Sequence, residues 1–137
     1  QPALDKIMLP CEELFADRES MLAVLLHEIC HSTAHKKRAN RDLSGRMGSP
    51  SYSFEELIAE LGAMMLYSST GLTPSEHQVR QSAAYMKGWA EVLKQDPSKI
   101  LKAASAAQKA VAYIEELLPK PVVDESANVR HVVRLAM

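Results

Sequence analysis

The stretch Leu25–His35 reads LLHEICHSTAH and sets three histidines four residues apart, with Glu28 directly after the first. Four residues make about one turn of an α-helix, so on a helix His27 and His31 point the same way. Leu22, Leu25, Leu26 and Ile29 recur at helical spacing through the same stretch. The segment is therefore expected to form an amphipathic helix that buries an apolar stripe.

Two imidazoles one turn apart can reach a single tetrahedral Zn²⁺ at about 2.0–2.1 Å each. Glu28 sits a step round the helix, within reach of a water at such an ion, and can take its proton. His27-Glu28-x-x-His31 thus supplies two ligands and a general base for metal-assisted hydrolysis. The competing reading is a polar helix face with no ion. A third protein ligand is needed. His35 lies one turn further along the same helix, and a straight helix does not wrap three successive turns around one ion. At a helix end it is instead favoured by the C-terminal dipole.

A second predicted helix carries Glu55, Glu56 and Glu60, with Glu56 and Glu60 four apart on one face. Zinc peptidases of the gluzincin kind take their third ligand from a Glu on a second helix. In them an acid one turn later orients a ligating histidine through its free ring N–H. A resemblance to that arrangement makes Glu56 the ligand and Glu60 the orienting acid, with Glu60 as the alternative ligand. Against this stand a capping box between Ser53 and Glu56 and a solvated role for Glu60. Cys30 lies inside the motif but off the ligand face, as a small buried thiol.

The 137 residues fit one domain, expected over 1–118, with a tail of uncertain structure over 119–137. Apolar residues at 47% and charged residues at 24% fit a folded chain and exclude disorder. A net charge of −1 argues against wholesale nucleic-acid binding. No apolar run is long enough for a membrane span and no signal peptide is evident. Two cysteines cannot build a disulfide framework and read as reduced thiols of a cytoplasmic protein. The start at Gln1-Pro2 is expected of a domain cut from a longer protein.

Few glycines and many Ala, Leu and Met predict a mainly α (α+β) fold of four or five helices with a small β element. DKIMLP, ended by Pro10, is expected to be a strand, and IMLP an edge along which a peptide pairs or an ordinary cover of the core. The first helix should start at the N-cap Asp17 and run to about His35. KKRANRDLSGRMGSPSYS reads as a long loop, and FEELIAELGAMMLYSS as the second helix. Thr73, Pro74 and Glu76 start a third helix ending near Lys94. Asp96-Pro97 starts a fourth, with an Ala face (Ala103, Ala104, Ala107, Ala110), ending near Leu118.

Tyr85 and His77 on the third helix are candidate oxyanion donors, with a core position the alternative for Tyr85. Trp89 reads as core. Lys36, Lys37, Arg38, Arg41 and Arg46 crowd the long loop, as a solvated cluster or as phosphate contacts.

DKIMLP, HEICHSTAH, RANRDLSGRMGS, FEELIAELGA, AAYMKGWAEVLKQD and AASAAQKAVAYI occur here in that order. Over about residues 5–115 the chain thereby resembles the C-terminal zincin-like metallopeptidase domain of ArdC-like antirestriction proteins. These are plasmid- and phage-associated and related to TraC-type primase accessory proteins. The resemblance implies Zn²⁺ held by His27, His31 and an acid of EELIAE, with Glu28 as base and a peptide or protein as substrate. It also implies DNA contact through an N-terminal domain outside this chain. The alternative it leaves is a zinc-containing antirestriction module that contacts DNA or a restriction enzyme with little or no proteolysis. The family usually reads HWTGH where this chain has His31-Ser32-Thr33-Ala34-His35, and Ala39 and Met47 replace a usual Leu and Phe. None of these positions is a proposed ligand, so the differences bear on the shape of the cleft.

Overall fold

A computed structural model describes residues 4–69, 71 and 76–118, without the side chains at 77, 78, 81, 85, 86, 91–93 and 95. Four α-helices follow one another: α1 (Arg18–Ser32), α2 (Pro50–Ser69), α3 (Glu76–Gln95) and α4 (Ser98–Leu117), after a short 3₁₀ turn at Glu12–Leu14. The expected tail over 119–137 lies outside the described residues.

The helix starts follow capping chemistry. Asp17 accepts the Ser20 N–H at 2.6 Å and opens α1. Asp96 accepts both the N–H and the hydroxyl of Ser98, at 3.1 and 2.6 Å, and opens α4. At α2 the structure corrects the expected boundary. The Ser49 hydroxyl accepts the Tyr52 N–H at 3.2 Å and its carbonyl accepts the Ser53 N–H at 2.9 Å. Pro50 then occupies the first helical position, where its missing N–H costs nothing. The helix begins four residues before Phe54, and Ser53 lies inside it, so the capping box with Glu56 does not form.

α1 also ends earlier than expected, at Ser32. Arg38 Nε donates to the Ser32 carbonyl at 2.7 Å and Arg41 Nη2 to the Cys30 carbonyl at 3.0 Å. Two cations thus satisfy carbonyls that a helix end leaves open. His35 consequently sits in the turn beyond the helix.

No strand forms among the described residues. Lys6–Pro10 has no regular secondary structure, because a strand needs a ladder partner and none is described beside it. The expected small β element and the peptide-pairing edge at IMLP are absent there.

α2 is the central element, packed against α1 on one side and α4 on the other. Leu57, Ile58 and Trp89 bury against Ala103 and Ala107 of α4. Cys30 of α1, Ala59 and Leu66 form a second cluster with Leu26, Val111 and Ile114. Each large side chain buried there contributes roughly 1.5–3 kcal/mol. Gly62 lets α1 approach closely, since a Cβ there would stand 2.7 Å from Cys30 Sγ. This close approach sets the histidines of α1 against the acids of α2.

Candidate metal centre

His27 and His31 leave α1 on one face with ring centroids 4.7 Å apart and their Nε2 atoms at 3.0 Å. Glu56 of α2 meets both. Its Oε1 lies 3.3 Å from His31 Nε2 and its Oε2 3.6 Å from His27 Nε2. Two nitrogens bound to one ion at about 2.0–2.1 Å with a tetrahedral angle stand about 3.3 Å apart, the range these three groups span. Among the described residues they are the one cluster whose donors all converge, within 4.8 Å of one another. Two imidazoles and a carboxylate are a donor set suited to Zn²⁺ or Mn²⁺.

The remaining ring nitrogens face acids. His27 Nδ1 lies 3.4 Å from Glu60 Oε2, and Glu60 Oε1 accepts the Ser82 hydroxyl of α3 at 2.6 Å. His31 Nδ1 lies 3.2 Å from Glu55 Oε1. Glu55 in turn accepts two bonds from Arg41, Nη2 to Oε1 at 2.8 Å and Nε to Oε2 at 2.9 Å. Glu56 thus stands beside both Nε2 atoms, and Glu60 and Glu55 stand behind the two rings.

The charges respond to this crowding. Burial disfavours the His27 imidazolium, but Glu60, Glu56 and Glu28 outweigh it and hold the pKa above its ordinary value. Burial raises Glu55, yet the hydrogen bonds from Arg41 and His31 keep its carboxyl below the usual range. The His27 hydrogen bond lowers Glu60 against the effect of its burial. Burial pushes the Cys30 thiol up to about 12.

Glu28 lines a cavity of about 630 Å³ together with His27, His31, Glu56, Lys6, Ile7 and Leu43. His35 lines the same cavity but stands outside the converging trio. Its Nδ1 accepts the Lys37 N–H at 3.3 Å and lies 3.9 Å from Asp5. Tyr85 and His77 fall on α3 at positions whose side chains lie outside the described residues. Arg41 and Arg38 are not phosphate contacts in waiting: Arg41 is spent on Glu55, and Arg38 pairs with Asp5. Only Lys36, Lys37 and Arg46 of that cluster stay exposed. Sequence reading gave Glu55 no role, and the signal available was its place directly before Glu56. Arg41 had none, because its loop carries no periodic pattern.

A family described as zincin-like metallopeptidase matches residues 1–106. The chain belongs to this family. The zincin-like domain is 34% identical over 128 residues to a DNA primase TraC of Escherichia coli, covering 93% of this chain and 12% of that protein. It is 38% identical over 109 residues to the uncharacterized protein y4eC of Sinorhizobium fredii, covering 80% of this chain and 35% of the relative. Among solved structures it superposes on the Mn(II)-bound antirestriction protein ArdC of plasmid R388 with a TM-score of 0.69 and 43% identity, over 85% of this chain and 42% of ArdC. The metal-free ArdC structure matches with a TM-score of 0.67. The domain is thus ArdC-like and mostly helical, and it spans less than half the length of each of these relatives. Among the described residues no helix is long and apolar enough to cross a membrane.

Proposed function

We propose that this domain is a zinc-dependent peptidase in which His27, His31 and Glu56 hold one Zn²⁺ and Glu28 is the general base. The convergence of the three donors at the wall of a cavity that Glu28 also lines supports this reading. A divalent ion bound there supplies a Lewis acid that polarises a peptide carbonyl and makes a nearby water acidic. Glu28 accepts the proton of the attacking water and returns it to the leaving amine. Glu60 and Glu55 hold the two imidazoles by their other nitrogens, so that each Nε2 stays a free donor.

The name of the ArdC relative supports placing this hydrolysis in an antirestriction setting. The name of the TraC relative, a DNA primase, supports DNA as a partner of the longer protein, of which this chain covers 12%. Elemental analysis of the purified domain, coupled to cleavage of an internally quenched peptide library, tests the reading. His27→Ala should lose the metal. Glu28→Gln should keep it while turnover falls by about 10²–10⁴. A domain that carries stoichiometric zinc, cleaves nothing and binds DNA in a salt-dependent way would favour the binding module instead.

A further inference from the structure

We propose that Arg41 is a positioning residue that ties the metal centre to the wall of the substrate cavity, an inference that rests on the metal reading above. Arg41 lies in the segment between α1 and α2, where backbone bonds fold the chain back onto the end of α1. The Ala39 N–H donates to the Thr33 carbonyl at 2.9 Å and the Arg41 N–H to the Ala34 carbonyl at 3.0 Å. Asn40 makes the bend with φ at +47°, a conformation that Asn tolerates better than most residues.

This bend turns the guanidinium inward. Its fork meets both oxygens of Glu55, and its remaining donors reach Thr33 Oγ1 at 2.8 Å and the Cys30 carbonyl at 3.0 Å. The Arg41 and Glu55 side chains are only 13% and 7% exposed. A bidentate pair in such surroundings has little freedom of orientation. Glu55 Oε1 is the same atom that faces His31 Nδ1. Arg41 therefore aims Glu55, and Glu55 aims the His31 ring toward Glu56.

The two histidines are supported differently. Glu60 behind His27 rests on a hydroxyl from α3, whereas Glu55 behind His31 rests on a cation from the connecting segment. The residues that follow Arg41, namely Asp42, Leu43 and Gly45, line the cavity. One side chain thus anchors both a metal-binding imidazole and a wall of the cleft. Metal occupancy and the position of that wall are coupled through it.

The test uses the purified domain and the metal alone. Zn²⁺ and Mn²⁺ affinities are measured by competition with a chromogenic chelator, and amide exchange over residues 39–45 is followed with and without metal. Arg41→Ala should weaken metal binding about 10–100-fold and abolish the protection that metal confers on 39–45 in the wild type. Arg41→Lys should recover only part of the affinity, because an ammonium cannot fork onto both oxygens. A merely structural Arg41 would lower the unfolding midpoint of the metal-free domain and leave the metal affinity of folded protein unchanged. Wild-type affinity in both Arg41 variants overturns the proposal. If Arg41→Ala does not fold, Glu55→Gln and Arg41→Lys decide it, and unweakened binding in both is again fatal. A wild-type domain that takes up neither metal sinks the metal reading itself. A wild type that binds beside variants that bind equally well sinks this inference alone.

Discussion

Glu60 Oε2 stands 3.4 Å from Nδ1 of His27, and the other Glu60 oxygen accepts the Ser82 hydroxyl at 2.6 Å. Three helices meet in this relationship: the imidazole comes from α1, the acid from α2 and the hydroxyl from α3. The acid faces the ring, and the hydroxyl donates to the acid.

Glu60→Ala should therefore lower divalent-metal affinity about 10–100-fold, or roughly 1.4–2.8 kcal/mol, while His27, His31 and Glu56 remain in place. Chelator competition measures it. Undiminished affinity would leave Glu60 as an acid without influence on the ring.

The metal-free domain should show opposing pH trends on either side of a weakly acidic optimum. His27 is held above its ordinary 6.5, so its contribution to stability is complete below that value and fades as pH rises through the folded pKa. Glu55 and Glu60 are held below their ordinary 4.5, so their contributions are present above it and lost as pH falls through the depressed values. Stability from these groups is greatest between the two. Because a metal ion competes with the His27 proton, metal affinity should climb as pH passes above 6.5. Denaturant midpoints and metal titrations across this range check both trends. A metal affinity independent of pH there would refute the competition.

Gly62→Ala should destabilise the domain by about 1–3 kcal/mol, despite the better helix propensity of Ala. Its new Cβ would stand 2.7 Å from Cys30 Sγ, which is itself fully buried. Adding Cys30→Ala should return part of the loss by removing the opposing atom. Equal midpoints for wild type and Gly62→Ala would show that the helices have room to spare.

The two thiols should differ sharply toward iodoacetamide at neutral pH. Cys11 is exposed and should be modified in the folded domain. Cys30 is buried, with its pKa pushed up to about 12, and should react only after unfolding. Mass spectrometry of the labelled protein distinguishes the two sites. Modification of Cys30 in native protein would mean that α1 and α2 separate readily.

Much of the helical layout was legible in residue types. Asp17 and Asp96 start helices because short acids accept the first free N–H groups, and Ala103, Ala107 and Ala110 pack against neighbours because small side chains permit it. The start of α2 at Pro50 is not legible there, because Ser49-Pro50 reads equally as loop or as helix entry. The strand expected over 5–10 did not form among the described residues, since a short apolar run does not reveal whether a partner strand lies beside it.

By itself the sequence determined that His27 and His31 share one face, because a spacing of four on a helix is a local, periodic property. It also narrowed the acids to three on the next helix. Only the tertiary structure decided that Glu56 stands between both Nε2 atoms, that Glu60 backs His27 and that Glu55 backs His31. Those pairings depend on how α2 is rotated and pressed against α1 at Gly62, which no spacing encodes. The place of Arg41 beneath Glu55 depends on the path of an aperiodic segment, set by backbone bonds to the end of α1.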